Sequence, residues 1–141
     1  MIRVFFDASV LFAASYSKTG SSRDLLLEAI RGHVRAVVTQ HVLREAEESL
    51  ARKAPEALPA WHELLELIGP EIGELPSLQE LRQAATYIHP KDAPVVAGAI
   101  KAGVDYLVTW DRKHFTDDVR VARESGLEIV TPDQVMTLLR A

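Results

Sequence analysis

Short, mostly apolar runs alternate along the chain with stretches in which apolar residues recur at helical spacing. The runs are rich in β-branched and aromatic residues and predict buried strands over residues 2–6, 34–38, 106–108 and 127–130. Capping residues and glycine or proline stops predict helices that begin at Ser21 or Ser22 and at Thr39 or Gln40, and others over residues 61–68, 77–87, 93–102, 118–124 and 132–139. Continuous apolar strands separated by helices are typical of a parallel sheet covered on both faces. The pattern therefore predicts an α/β fold, a three-layer α/β/α sandwich with a mostly parallel central sheet.

Composition narrows the classes of protein that this chain can represent. Its 141 residues are 48% hydrophobic and 26% charged, without a linker or repeat, so we expect one domain over residues 1–141. The chain has no cysteine, which excludes disulfide scaffolds, thiolate zinc sites and cysteine nucleophiles, and is compatible with the cytoplasmic location that we expect. The net charge of −4 lacks the basic field of a protein that coats duplex DNA, so any contact with nucleic acid has to be local. No apolar run approaches the roughly 18 residues of a membrane span, and Asp7 interrupts the apolar opening, so we expect neither a membrane anchor nor a signal peptide.

Carboxylates stand next to the predicted strands. Asp7 directly follows the first strand, Asp111 comes just after the third, and Asp92 opens the helix that leads into the third. Ligands of open parallel sheets bind outside the carboxyl ends of the strands, near a topological switch point, so these three acids are placed to share one edge. Glu45 and Glu47 border the two sides of the apolar stripe of a neighbouring helix, and periodicity alone does not choose between them.

Such a group of acids favours a divalent cation. Carboxylates in one pocket raise one another's pKa unless a cation compensates their charge. Oxygen ligands, with no cysteine and no histidine pair at ligand spacing, suit Mg²⁺ or Mn²⁺ better than zinc or copper. These ions activate water and stabilise the leaving oxygen of a phosphodiester, so phosphoryl chemistry is the leading hypothesis.

Three segments of the chain resemble the PIN-domain nucleases, a family that includes the ribonuclease toxins of VapC-type toxin–antitoxin pairs. They are FFDAS around Asp7, QHVLREAEESL around Glu45, and KDAPVVAGAIKAGVDYLVTWDRKHF, which contains Asp92 and Asp111. The resemblance spans nearly the whole chain, and the third segment is the most specific. It implies that these four residues are catalytic and form the acidic metal site, which selects Glu45 over Glu47.

The resemblance also implies an activity and partners. Members of this family have a parallel sheet sandwiched by helices, and commonly act as dimers that cleave RNA endonucleolytically with Mg²⁺ or Mn²⁺. We therefore expect a metal-dependent endoribonuclease, a homodimer, and a cognate antitoxin protein if the chain is a toxin. Ser9 and Thr109 are the implied nearby hydroxyls.

Simpler interpretations exist for each of these residues. Asp92 alone is equally well explained as a helix N-cap, and Glu45 alone as a solvated helix residue. Arg112, with Lys113 and His114, forms a basic patch that is either a contact for RNA phosphates or a solvated surface. Trp110 is interpreted as packed at the sheet edge.

Two other functions share features of this sequence with the nuclease. A signalling receiver domain also has an acidic Mg²⁺ pocket, but it needs a pair of acids after the first strand, and here Asp7 is followed by Ala8 and Ser9. The main alternative is a catalytically inactive PIN-like module that binds RNA or a protein. The presence of all four acids argues against the inactive module.

Overall fold

A five-stranded sheet lies at the centre of the computed structural model, which describes residues 1–141. Every neighbouring pair of strands is parallel, and the spatial order is β3-β2-β1-β4-β5. The strands are β1 (Arg3–Phe6), β2 (Arg35–Val38), β3 (Glu71–Ile72), β4 (Tyr106–Val108) and β5 (Ile129–Val130). The predicted α/β class and parallel sheet are confirmed.

Eight α-helices connect and cover the strands. They are α1 (Ala8–Tyr16), α2 (Ser21–Ile30), α3 (Gln40–Lys53), α4 (Leu58–Ile68), α5 (Leu78–Ala84), α6 (Ala93–Ala102), α7 (Val119–Ser125) and α8 (Pro132–Arg140). A 3₁₀ turn over Pro55–Ala57 precedes α4, and a π-helical turn over Arg112–Thr116 follows β4. No helix is both long and apolar enough to cross a membrane.

The central strand β1 shows why the sheet needs helices on both faces. Successive residues of a strand point to opposite faces, yet Val4, Phe5 and Phe6 are all buried. Both faces of β1 are therefore covered, and the buried apolar side chains form one contiguous cluster. This arrangement gives the three layers of the predicted α/β/α sandwich.

The chain order of the strands creates a switch point between β1 and β4. From β1 the chain moves outward to β2 and β3, then crosses back to add β4 and β5 on the other side of β1. The Asp7 N–H donates to the Val108 carbonyl at 3.0 Å, which brings the residues that follow β1 and β4 side by side. A crevice outside the carboxyl ends of these two strands is where ligands bind in such sheets.

Several elements differ from the sequence-based prediction. Helix α1 was not predicted, because it is apolar on nearly all sides and so shows no helical period. The two-residue strand β3 was also missed, since it is too short for an alternating pattern. The helix predicted over residues 77–87 ends at Ala84, and the strand predicted over 127–130 is confined to Ile129–Val130.

Candidate functional site

Four carboxyl groups line one cavity of about 330 Å³ at the switch point. Asp7 directly follows β1, and Asp111 lies three residues beyond β4. Asp92 stands at the start of α6, while Glu45 projects from α3. Four separate elements thus bring to one cavity the acids that the sequence placed near strand ends and on a neighbouring helix.

Asp7 is the most buried of these acids, with 6% of its surface exposed. Burial raises the pKa of its carboxyl group, the hydrogen bonds from Thr109 and Ser9 oppose the rise, and the nearby Glu45 carboxylate adds to it. Both hydroxyls donate to the same oxygen, Oδ2, at 2.7 Å from Thr109 and 2.8 Å from Ser9. The other oxygen, Oδ1, accepts no side-chain hydrogen bond.

The two hydroxyls also tie Asp7 to the loop after β4. The Oγ1 atom of Thr109 accepts from the Asp111 N–H at 3.0 Å, and the Oγ atom of Ser9 accepts from the Trp110 N–H at 3.1 Å. Each hydroxyl therefore donates to the carboxylate of Asp7 and accepts from the backbone of the loop after β4. An alanine or valine at either position would lose both contacts.

Asp92, Asp111 and His114 form a compact group of possible metal ligands in the cavity. The Nδ1 atom of His114 lies 2.7 Å from Oδ2 of Asp111 and 3.8 Å from Oδ2 of Asp92. One ligand atom from each of the three residues falls within 4.8 Å of the others. Burial raises the pKa of Asp92, His114 opposes that shift, and the Asp111 carboxylate reinforces it. Asp92 makes no side-chain capping hydrogen bond to α6, so its carboxylate is not used as an N-cap.

The structure distinguishes Glu45 from Glu47. Glu45 lines the acidic cavity, whereas Glu47 lies outside it and contacts the His62 Nε2 atom at 2.6 Å. The His41 Nε2 atom lies 3.4 Å from Oε2 of Glu45, without the geometry of a hydrogen bond. This imidazole, more than the ammonium group of Lys91, holds the pKa of Glu45 below its usual range.

The basic patch that the sequence suggested is divided between the acidic cavity and its surroundings. Only His114 of that patch reaches the acids, whereas Arg112 and Lys113 line two other depressions. The ammonium groups beside the acids belong to Lys53 and Lys91, which the sequence-based interpretation did not select.

The sequence gives only a weak indication of Lys91, Lys53 and His114, namely their spacing from the acids. Lys91 directly precedes Asp92, and Lys53 lies eight positions after Glu45, close to two helical turns along α3. His114 lies three positions after Asp111. Such spacings are common on solvated surfaces, so they become informative only once the acids are known to face one cavity.

The chemistry of the cavity fits a hard divalent cation. Four carboxyl groups outnumber the two ammonium groups, and His114 is the one histidine that lines the cavity. Carboxylate oxygens in excess suit Mg²⁺ or Mn²⁺, and one imidazole is compatible with Mn²⁺.

Comparison with known proteins gives the family of this chain. PAE2754 from Pyrobaculum aerophilum has a similar structure, with a TM-score of 0.69 and 20% sequence identity over 99% of this chain and 96% of that chain. VapBC2 from Rickettsia felis, bound to a DNA fragment from their promoter, is also similar, with a TM-score of 0.64 and 15% identity over 92% of this chain and 98% of that chain. At these identities the two structures show a shared fold. Comparison with curated protein sequences gave no match. The family model described as PIN domain matches residues 3–113, a range that contains all four acids of the cavity, and the chain therefore belongs to the PIN domain family.

Proposed function

We propose that this protein is a Mg²⁺- or Mn²⁺-dependent endoribonuclease that hydrolyses RNA phosphodiester bonds. The observation that carries the proposal is the convergence of four carboxyl groups on one cavity at the switch point of a PIN domain, since PIN domains are generally nucleases. The choice of RNA as substrate rests on the resemblance of the sequence to the ribonuclease toxins.

The proposed roles follow from the positions of the side chains. Asp7, Glu45, Asp92 and Asp111 would hold the cation, which supplies Lewis-acid stabilisation of the phosphate and a more acidic water when bound. His114 holds the carboxylate of Asp111 in place through its Nδ1 atom.

Other residues prepare the site for an RNA strand. The hydroxyls of Ser9 and Thr109 fix Oδ2 of Asp7 and so hold this carboxyl group, which lines the cavity, in one orientation. Lys53 and Lys91 place positive charge at the rim, where it attracts the phosphates that flank the cleaved bond. Arg112 lies outside the acidic cavity, so it would contact a phosphate other than the one that is cleaved.

The resemblance extends the proposal to partners. We propose one PIN-like domain over residues 1–141 that acts in the cytoplasm as a homodimer and as the toxin of a toxin–antitoxin pair. The contiguous core supports the single domain. The similarity in fold to the Rickettsia felis VapBC2 structure supports the antitoxin partner.

The test is cleavage of a pool of structured and single-stranded RNAs with Mn²⁺ or Mg²⁺, with chelator as the blank. Glu45→Gln and Glu47→Gln provide a matched pair, because they make the same change on the same helix, inside and outside the cavity. We expect cleavage that chelator stops, that Glu45→Gln and Asp7→Asn abolish, and that Glu47→Gln leaves intact.

Two results would contradict the proposal. Undiminished metal-dependent cleavage by purified Asp7→Asn would place the active centre elsewhere. An absence of both cleavage and Mn²⁺ binding by the wild-type protein, measured by calorimetry, would favour the inactive binding module.

A further inference from the structure

Trp110 is held rigidly beside the acidic cavity, yet 40% of its surface is exposed. Its indole N–H donates to the hydroxyl of Ser22 at 2.7 Å, and Ser22 is itself buried at the start of α2. Its backbone N–H donates to the hydroxyl of Ser9 at 3.1 Å, the same hydroxyl that holds Asp7. The ring is therefore not simply packed at the sheet edge, as the sequence-based interpretation had it.

A second cavity, of about 540 Å³, opens next to this ring. Its wall includes the apolar surfaces of Trp110 and Ile129 together with the polar side chains of Arg112, Asp117 and Asp133. The volume lies within the range of about 300–1,000 Å³ that is typical of small-molecule pockets. Trp110 stands directly before Asp111, so this cavity adjoins the acidic one without sharing its acids.

The chemistry of this cavity matches one nucleotide of a single strand. The only polar group of the indole is already satisfied by Ser22, so this partly exposed side chain offers aromatic surface and no free donor. Every nucleobase has a flat face that stacks on such a surface. Arg112 carries a positive charge that suits the attached phosphate, and the carboxylates of Asp117 and Asp133 are of the kind that accepts hydrogen bonds from amino groups of a base.

We propose that Trp110 forms a base-stacking subsite for single-stranded RNA, which positions a nucleotide next to the phosphodiester bond held at the acidic cavity. This inference rests on the proposed ribonuclease function and adds a residue that contacts the substrate outside the acidic site. Arg112 acts in the same subsite, where it contacts the phosphate of the stacked nucleotide.

The tryptophan content of the chain allows a direct test. Trp110 and Trp61 are its two tryptophans, and Trp61 is 1% exposed in the core. A base that stacks on Trp110 quenches its emission, whereas Trp61 cannot contact RNA. We expect a mixed-sequence, single-stranded RNA 12-mer, added with chelator to prevent cleavage, to quench the wild-type emission and to leave Trp110→Phe unchanged.

Binding affinity is measured on the same samples by fluorescence anisotropy of the 5′-labelled RNA. Base–aromatic stacking corresponds to a loss of about 5- to 150-fold in affinity on truncation to alanine, and we expect a loss in this range for Trp110→Ala. Trp110→Phe keeps an aromatic face and should lose less. Leu67→Ala, which removes an exposed apolar side chain from α4, is the control and should bind like the wild type.

The possible outcomes separate this proposal from the ribonuclease proposal. RNA binding without quenching, equal affinity of Trp110→Ala and wild type, or no RNA binding at all would each overturn the stacking subsite. If RNA binds without quenching, or binds equally to Trp110→Ala and wild type, and the protein still cleaves RNA with metal, the ribonuclease proposal is supported and only the stacking subsite is wrong. Quenching and weakened Trp110→Ala binding without any cleavage would support the subsite in a protein that binds RNA but does not cut it.

Discussion

The hydroxyl of Thr109 gives the sharpest test of how the acidic cavity is built. Thr109 is 1% exposed, and its Oγ1 atom donates to Asp7 and accepts from the Asp111 N–H. Thr109→Val replaces this hydroxyl by a methyl group of similar size, so the change removes two hydrogen bonds without opening a cavity. One of these two hydrogen bonds is accepted by the ionisable carboxyl group of Asp7, and both residues are buried.

The loss in free energy of unfolding expected for Thr109→Val follows from these two hydrogen bonds. A hydrogen bond to a charged group contributes about 1.5–3 kcal/mol, and a neutral one about 0.5–1.5 kcal/mol. Ser9 still donates to Oδ2 of Asp7 in the variant, which reduces the loss. We therefore expect the free energy of unfolding to fall by about 2 kcal/mol. For a chain of this size that corresponds to a decrease in Tm of about 4–8 °C.

A second consequence concerns the cation. Groups that orient a metal ligand typically change metal affinity by about 10- to 100-fold when they are removed. We expect Thr109→Val to bind Mn²⁺ more weakly by about this factor, because Asp7 loses one of the two donors that fix its carboxylate. Isothermal titration calorimetry measures the affinity directly.

The assay is urea denaturation followed by circular dichroism at pH 8 with chelator present, on wild type and two variants. Thr137→Val is the matched control, since its hydroxyl lies on the exposed side of α8 and donates only to the Asp133 carbonyl. We expect it to change stability by less than about 0.5 kcal/mol. Equal stability and equal Mn²⁺ affinity of the two variants would refute the reasoning, because the buried hydroxyl would then contribute no more than an exposed one.

Three further predictions concern the metal, the core and the acid dependence of stability. Mn²⁺ at 100 times its dissociation constant should raise the free energy of unfolding by about 2.7 kcal/mol, and chelator should reverse this increase. An unchanged Tm in a thermal scan with Mn²⁺ would argue against a metal site in the folded state. Leu25→Ala should lower the free energy of unfolding, measured by urea denaturation, by about 2–5 kcal/mol, because Leu25 is fully buried. Leu78 is 61% exposed, so Leu78→Ala should lower it far less. Similar losses of stability in the two variants would show that Leu25 does not lie in the core. The hydrogen bond from the Lys101 ammonium group, and to a smaller extent those from the Ser77 backbone and hydroxyl, lower the pKa of Glu80 to about 2. Because this pKa is below that of Glu80 in the unfolded chain, ionised Glu80 stabilises the fold fully above about pH 4.5, and this contribution disappears as the pH falls towards 2. Glu80→Gln should therefore be less stable than wild type at pH 7 but nearly equal to it at pH 2, and a stability difference that persists at pH 2 would contradict the assignment.

Local sequence determined most of the secondary structure. Ser77 and Glu80, three positions apart, form a capping box at the start of α5, and α6 covers the predicted residues 93–102 with a left-handed Gly103 directly after it. These features depend on residues within one or two helical turns of each other. The apolar strand runs and the intervening helices were sufficient to predict a parallel α/β sheet.

Where short-range patterns are absent or ambiguous, only the tertiary structure decides. Helix α1 has no polar face to reveal its period, and β3 is a two-residue strand that exists because β2 pairs with it. Glu45 and Glu47 differ in position only once α3 packs beside the switch point, because Glu45 then lines the cavity and Glu47 does not.

The contacts within the candidate site join residues far apart in sequence. Thr109 reaches Asp7 across 102 positions, and Trp110 reaches Ser22 across 88. No local period encodes such pairs, because they depend on which strand lies beside β1 and on how the loop after β4 turns. The sequence thus determined which residue types could bind a cation, and the tertiary structure decided which of them meet, how they are oriented, and which aromatic ring is left exposed beside them.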